Sequence, residues 1–447
     1  MPVQITIRPP RVRRLLTSWL EASLAAVNPE RAIRNNVRLN GTDLLLGGRR
    51  YSLRGIRRLV IVGAGKASAR MASELDRCLG KWPVEGLVVT TPGQQNIGHR
   101  VTVVEAGHPV PSRAGLQAAK RVLRLVQNLT SHDLLFVLLS GGASSLWPVP
   151  APGLTLVDKQ RVTQLLLRSG ASIQELNTVR KHLSSIKGGQ LATRTHAGVI
   201  TLLLSDVVGD DLSCIGSGPT VPDLTTFEEA SRILRERRLW SRLPARVQMH
   251  LHKGCSGELP DTPKPGHPAF RHGHHLLLAT NTTAIAALAR AARQHGIRPL
   301  VLSNSLTGEA QEIAKVFGAM ARSIVTQSQP LASPCCVIAG GELTVTVRGQ
   351  GQGGRAQEFA LAAAQEVRGL PNVWIAGFGT DGRDGPTDVA GAVVSGATAD
   401  HAQTQGLNLD NLLRQNDSYH AFQQLGGHIR TGPTGTNVGD LYLLLVL

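Results

Sequence analysis

Apolar runs too continuous for a half-exposed sheet alternate along this chain with segments of helical period. Leu59-Val60-Ile61-Val62, Leu87-Val88-Val89, Leu134 to Leu139 and Val199 to Leu204 lack polar alternation, as strands buried on both faces do. Strands of this kind separated by helical segments predict an α/β protein with a parallel sheet. The first run leads into Gly63-Ala64-Gly65 and a helix from about Lys66, the third ends in Ser140-Gly141-Gly142, and the fourth in Ser205-Asp206. Between Leu243 and His275 the pattern gives way to Pro244, Pro260, Pro263, Pro265 and Pro268 with several Gly and His. A second set of strands is expected at His275 to Ala279, Pro299 to Leu302, Cys336 to Ala339, Leu343 to Val347 and Val373 to Ala376. The expected organisation is an N-terminal α/β domain over 1–243, a Pro/His-rich linker over 244–274 and a C-terminal α/β domain over 275–447.

Composition narrows the partners. With 42% hydrophobic and 18% charged residues the 447-residue chain reads as folded, long enough for two or three domains. No stretch approaches 18 uncharged apolar residues, so no membrane helix is expected. The net charge of +17 calls for anionic partners. Aromatics at 3% and the lack of a recognition motif argue against nucleic acid and for small carboxylates or phosphates. Arg8, Arg11, Arg13 and Arg14 without acids resemble a targeting segment, but Pro9 and Pro10 interrupt it. The preferred reading is a short extension ahead of a helix from about Arg11. Five cysteines without C-x-x-C spacing suit a reducing cytoplasm.

The candidate chemistry lies at strand ends, where open α/β sheets bind ligands. Gly63-Ala64-Gly65-Lys66-Ala67-Ser68 is not a dinucleotide fingerprint: Ser68 holds the third glycine position, and Thr90 and Thr91 stand where the ribose-binding acid belongs. Nor is it a Walker A loop, since positions 60 and 67 are Val and Ala. A tight turn with Lys66 near a helix start remains, suited to an anion; a surface lysine after a plain turn would look the same. Ser140-Gly141-Gly142-Ala143-Ser144 can form an anion nest, or a simple turn. Ser172-Ile173-Gln174-Glu175 is a capping box. The helix it starts carries Ile173, Leu176 and Leu183 on one face and Asn177, Arg180, Lys181 and Ser184 on another, with Lys187-Gly188-Gly189 after it; a solvated polar face is the ordinary explanation. Asp206 and Asp210 are hard oxygen ligands of the kind Mg²⁺ takes, or turn formers. In the C-terminal half, Gly340-Gly341-Glu342, the loop from Gly349 to Gly354 before Arg355, and the loop from Gly379 to Asp388 with Asp381 and Asp384 complete the set. A long glycine-dense acidic loop costs chain entropy unless something binds it.

Taken together these segments resemble the glycerate 2-kinases, the group with a MOFRL C-terminal region. The resemblance runs from about Leu15 to the end. It rests on Val62 to Ala67, Gly107-His108-Pro109-Val110-Pro111, Asn177 to Ser184 with Ile186 to Gly189, and Ser205-Asp206 through Pro219-Thr220. It rests also on Gly340-Gly341-Glu342, Arg355 with Gln357-Glu358, Gly379 to Asp388, and Thr431 to Asn437. Ser112, Ala356, Ser395 and Gly439 depart from the Asp, Asn, Asp and Asn usual there. The resemblance implies a Rossmann-like parallel-sheet lobe and a smaller α/β lobe with the active site in the cleft, the last strand a candidate to return to the N-terminal lobe. It implies ATP- and Mg²⁺-dependent phosphorylation of D-glycerate at the 2-hydroxyl, by a monomer or homodimer. Similar proteins have carried the label hydroxypyruvate reductase, so an NAD(P)H-dependent reductase is the alternative.

Phosphoryl transfer asks for positioning and charge neutralisation. Lys66 and Arg355, both expected to be solvent-accessible, would neutralise the transferring phosphoryl and the substrate carboxylate. Asp206 or Asp210 would act as base with the other assisting Mg²⁺, and Glu342, Asp381 and Asp384 are the alternative metal set. Gly63, Gly65 and Ser140, Gly141, Gly142 and Ser144 would cradle phosphate. Asn177, Arg180, Lys187, Gly340 and Asn437 would hold substrate or nucleotide.

Overall fold

A computed structural model describes residues 2–93 and 100–447. The chain forms two compact units, one of residues 29–278 and the other of 1–28 with 279–447.

The unit 29–278 is built on a six-stranded sheet in the order Gly273–Ala279, Gly198–Leu204, Asp133–Leu139, Arg58–Ala64, Val84–Thr90, Val101–Glu105. The last five run parallel, and the four continuous apolar runs are its four inner strands or parts of them. Register puts Ala64 beside Leu139 and Leu139 beside Leu203. The turns after Ala64, Leu139 and Leu204 therefore leave the sheet at one edge. Val60, Val62, Leu135, Val137 and Leu139 pack with Ala118, Val122 and Val126 of the helix Arg113–Gln127.

A second apolar cluster corrects the expected linker. The helix Ala245–Cys255 buries Val247 and Leu251, four residues apart, against Val179 and Leu183 and against Phe227, Ala230 and Leu234 of the helix Phe227–Glu236. Beyond it Thr262 is buried and donates to Asp223 Oδ2 at 3.0 Å, and Gly273–Ala279 closes the edge of the parallel sheet. Segment 244–274 is thus integral to this unit, and the strand expected to open the second set belongs to the first.

The other unit holds a seven-stranded mixed sheet in the order Gln4–Ile5, His428–Arg430, Gly391–Ser395, Val373–Gly379, Asp440–Val446, Cys335–Gly341, Arg298–Leu306. The final strand lies between Cys335–Gly341 and Val373–Gly379, antiparallel to both, so it stays with its own unit. The N-terminus is what crosses the expected boundary. Ile5 pairs with Ile429. In the helix Pro10–Ala26, Trp19 is fully buried and its Nε1 donates to His295 Nδ1 at 3.2 Å. Thr436 Oγ1 donates to Val27 O at 2.8 Å. Leu343 to Val347, expected as a strand, makes only an isolated bridge between Thr344 and Glu309. There Glu309 takes the donors that a strand partner would use: Thr346 N at 3.1 Å and Thr346 Oγ1 at 2.9 Å. The alanine-rich helix Arg355–Glu366 is buried along most of its length, and Phe359 stacks edge-on with Phe317 and Tyr442.

Among the described residues no helix is long and apolar enough to cross a membrane. Removing a fully buried tryptophan typically costs about 3–5 kcal/mol. Trp19→Ala is therefore expected to lower the stability of the unit containing residues 279–447 by that order in denaturant titration. A midpoint like that of the unsubstituted chain would show the N-terminal helix to be a loose extension.

Candidate active site

The strand-end turns of the parallel sheet are locked to each other. Gly65 has φ +137°, and a Cβ there would lie 2.1 Å from Ser140 Oγ, so only glycine fits. Ser140 is buried, and its hydroxyl accepts from Ala67 N at 3.0 Å, while Lys66 N donates to Gly141 O at 2.9 Å. Ser68 Oγ donates to Gly65 O and Val89 O, each at 2.9 Å. Thr90 Oγ1 donates to Gly65 O at 3.1 Å. The residues that break the dinucleotide fingerprint are thus the ones that tie the turn to the next strand. The Ser140 hydroxyl oxygen takes part in shaping the Lys66 turn. The helix begins at Ser68, and Lys66 stands half-buried in the turn before it. Gly63 is equally constrained, a Cβ there meeting Leu138 O at 2.6 Å. A side chain at Gly142 would strike the His108 ring at 2.9 Å.

A hydroxyl chain joins this edge to the helix Ile173–His182. Ser144 Oγ lies 2.8 Å from Ser217 Oγ, which donates to Asn177 Oδ1 at 3.0 Å. Ser217, within the Ser205 to Thr220 stretch of the family resemblance, is fully buried with φ +62°, an uncommon conformation for a side-chain-bearing residue. Gly188 N and Gly189 N donate to the Ser217 and Gly218 carbonyls at 2.9 and 2.7 Å, fastening the turn after Lys187 to the same loop. The capping box forms as expected, with Glu175 N on Ser172 Oγ at 3.2 Å and Ser172 N on Glu175 Oε2 at 2.7 Å.

The polar face of that helix is not solvated. Asn177, Lys181 and Ser184 are buried and Arg180 is half-buried. Lys181 has a structural partner, Asp223, at 3.1 Å. Lys187 is 1% exposed, and its Nζ has no hydrogen-bond partner among the described residues. Lys159, from the helix Leu156–Arg168, is buried as well and donates to Val149 O at 3.3 Å. Burial, with Arg180 adding repulsion, pulls Lys159 down to about 7, and burial pulls Arg180 down to about 10. Burial and then the charges of Lys159 and Arg180 pull Lys187 well below the ordinary lysine range. Asp206 and Asp210 are half-buried in the turn after Leu204, Asp210 at φ +55°.

Two carboxylates of the other unit gather around Arg355, which is a third exposed and already engaged by acids. Its Nε and Nη2 grip Asp440 Oδ2 and Oδ1 at 2.5 and 3.2 Å, and its Nη1 meets Glu342 Oε1 at 2.5 Å. Burial would lower the guanidinium pKa, but Asp440 and Glu342 more than reverse that. Asp440 itself is buried, which raises its pKa against the pull of Arg355. It was missed because a lone acid opening an apolar strand carries no motif. Asp384, expected as a metal ligand, is buried under the start of the Arg355–Glu366 helix. Its carboxylate accepts from Ala356 N at 3.0 Å, Gln357 N at 2.8 Å and Gln357 Nε2 at 2.9 Å. It caps the helix, with both oxygens engaged. Among the described residues no three His, Cys, Asp or Glu side chains converge as a metal cage. Asp381 Oδ1 accepts from Arg383 N at 3.0 Å. A Cβ on Gly340 would lie 1.7 Å from Asn281 Oδ1, so its glycine is a packing requirement. Asn437 Oδ1 accepts from Gly439 N at 3.2 Å. Ser112, a departure from the family pattern, does the capping work of an aspartate, accepting from Gly107 N at 3.0 Å and Gly115 N at 3.3 Å.

Glycine-locked strand-end turns, with Lys159, Arg180 and Lys187 lacking a carboxylate partner among the described residues, mark an α/β protein whose 29–278 unit gathers cations. Residues 15–252 match a domain family described as a domain of unknown function (DUF4147), and residues 335–440 match the MOFRL family. A glycerate 2-kinase of Pyrococcus horikoshii is 38% identical over 97% of both chains. An Agrobacterium vitis relative with a provisional hydroxypyruvate reductase name is 39% identical over 97% of this chain and 94% of its own. A crystal structure of a glycerate kinase from Thermotoga maritima aligns over 98% of this chain and all of that one, with a TM-score of 0.85 and 36% identity. The chain belongs to the glycerate 2-kinase family.

Two outcomes follow from the carboxylate cluster. Arg355→Ala removes the charged partner of buried Asp440 and leaves it the Tyr442 hydroxyl at 2.9 Å, a loss of about 1–3 kcal/mol. The variant should melt measurably lower, whereas a variant melting like the unsubstituted chain would show the pairing to be energetically idle. Asp384 is raised by burial from 3.8 to about 6. Between about pH 4 and pH 6 the folded chain therefore keeps a proton that the unfolded chain has released, so this group's contribution to stability falls as pH rises through that window. Denaturant titrations across the window should show a flatter stability curve in Asp384→Asn; an identical slope would refute the assignment.

Proposed function

We propose that this chain transfers the γ-phosphoryl group of ATP to the 2-hydroxyl of D-glycerate, giving 2-phosphoglycerate and ADP, as a cytoplasmic enzyme without nucleic-acid partners. The observation that carries the reading is the trio Lys159, Arg180 and Lys187 in the 29–278 unit, which among the described residues has no carboxylate partner. Both proposed substrates are anions, and near full-length relatives are named for glycerate.

The hydroxyl oxygen attacks the γ-phosphorus, the bond from that phosphorus to the β,γ-bridging oxygen breaks, and the hydroxyl proton passes to Asp206 or Asp210. Lys66 neutralises charge on the transferring group. Arg355 already serves two carboxylates, so its part in this reading is to hold Glu342 and Asp440 in place as well as to offer charge. The hard oxygens of Asp206 and Asp210 suit Mg²⁺, which binds through one or two carboxylates plus phosphate oxygens. Asp384 leaves the set because its oxygens cap a helix. When bound, Mg²⁺ would supply charge neutralisation to the phosphates.

The reductase reading rests on the Agrobacterium name. Against it, Thr90 occupies the position of the ribose-binding acid and is buried against Gly65. Two assays separate the readings. The expected result is ADP release that needs D-glycerate, stops with EDTA and returns with Mg²⁺, and no NADPH oxidation with hydroxypyruvate. The reverse pattern would overturn the kinase. Losing one preorganised electrostatic donor typically lowers kcat about 100- to 1,000-fold. Lys66→Ala should fall in that range with its melting temperature held, and retention of more than about a tenth of kcat would remove Lys66 from the mechanism. Lys66 is the cleaner probe, since Arg355→Ala also removes the charged partner of Asp440.

A further inference from the structure

Two lysines of one short segment meet opposite fates. Lys181 is buried and paired with Asp223, whose Oδ1 also takes Thr225 Oγ1 at 2.8 Å and whose Oδ2 takes Thr262 Oγ1 at 3.0 Å. That arrangement is complete. Lys187 is as deeply buried, and its Nζ has no partner among the described residues. An ammonium removed from water without a partner costs several kcal/mol, so a lysine serving structure alone should have been replaced or paired. A second buried lysine stands beside it. Lys159 Nζ and Ser184 Oγ share the Val149 carbonyl at 3.3 and 3.0 Å, and Ser184 Oγ in turn accepts from Lys187 N at 3.4 Å. Arg180, on the same helix as Asn177, adds a third cation with no ion pair in the described residues. Among the described residues no acid pairs with any of these three cations, and Lys187 feels the charges of the other two.

We propose that Lys187, with Lys159 and Arg180, is a built receiving site for an oxyanion, a carboxylate or phosphate group, and that Lys159 is a ligand-binding residue of this chain. The proposal deepens the kinase reading and rests on it for the identity of the anion, which is either the carboxylate of glycerate or a phosphate of the nucleotide. The site itself rests on the burial and the missing partners. Burial holds all three cations below their ordinary ranges, with repulsion from neighbouring cations adding to it at Lys159 and Lys187, and an anion arriving among them would favour the charged forms of the two lysines.

The test uses the full chain and Lys187→Met, which keeps the side-chain volume and removes the charge. Truncating one partner of a buried charge pair costs about 2–5 kcal/mol, so at least about 30-fold in affinity. Calorimetric binding of D-glycerate alone and of MgADP alone should show that loss for one ligand and nearly unchanged affinity for the other, and the ligand that suffers names the source of the anion. The ligand-free variant should melt at or above the temperature of the unsubstituted chain, because an unpaired buried charge has gone. Binding of both ligands within about threefold of the unsubstituted affinity, well short of that loss, would overturn the proposal. A third arm stands apart from the kinase reading: inorganic phosphate should raise the melting temperature of the unsubstituted chain and not that of the variant. Equal shifts in both, or none in either, would refute the site even in an active kinase, while a phosphate shift lost in the variant of a chain that releases no ADP would uphold the site and refute the kinase. If Lys187→Met does not fold, Lys159→Met carries the same three arms.

Discussion

Everything at the strand-end edge depends on one close approach, that of Gly65 to Ser140. No side chain fits at Gly65, and the space is filled by the Ser140 hydroxyl bonded to Ala67 N. That contact joins two parallel strands beyond the point where their ladder ends, so the Lys66 turn and the Ser140 turn move as one piece. Ser144 then reaches Ser217 and Asn177, and Ser217 holds the turn that carries Lys187. The position of a buried cation is thereby referred back, through backbone and hydroxyl bonds, to the sheet. Phosphoryl transfer relies on such positioning more than on covalent chemistry.

The two units carry opposite electrostatic problems. In 29–278 the strained groups are cations without acids: Lys187, Lys159 and Arg180. In the other unit they are acids, with Asp440 and Glu342 sharing one arginine and Asp384 held under helix amides. Neither arrangement is what stability alone would select, since buried charges gain little against apolar replacements. Displaced pKa values cluster at functional sites, and here burial lowers Lys159, Arg180 and Lys187 in one unit and raises Asp384 and Asp440 in the other.

Much of the fold was legible because continuous apolar runs and a capping box are local signals. The inner strands of the parallel sheet and the start of the Ile173–His182 helix needed no distant partner to be read. What escaped reading depended on contacts far apart in sequence. Five prolines disguised Val247 and Leu251, whose spacing becomes meaningful only against Phe227 and Leu234. The arginine-rich start read as an extension because the face that buries Trp19 is supplied by residues near His295. Asp440 gave no sign beyond its charge, since its partner lies 85 positions away. Asp384 was legible as an acid in a glycine-dense loop but not as a helix cap, because the helix it caps begins 29 residues earlier at Arg355.

The same limit applies to the distinction between Lys181 and Lys187. Both lie in one recognisable segment, and residue type alone makes them equals. Only the fold shows that Asp223 answers the first and that no described residue answers the second. A paired buried lysine raises the specificity of packing, and its removal harms the fold by leaving an acid behind. An unpaired one burdens the fold when charged, and the anion site proposed above would offset that burden. Motif residues are therefore separated into scaffold and site by whether the chain itself supplies their counter-charge, a property that can be read from structure before any ligand is seen.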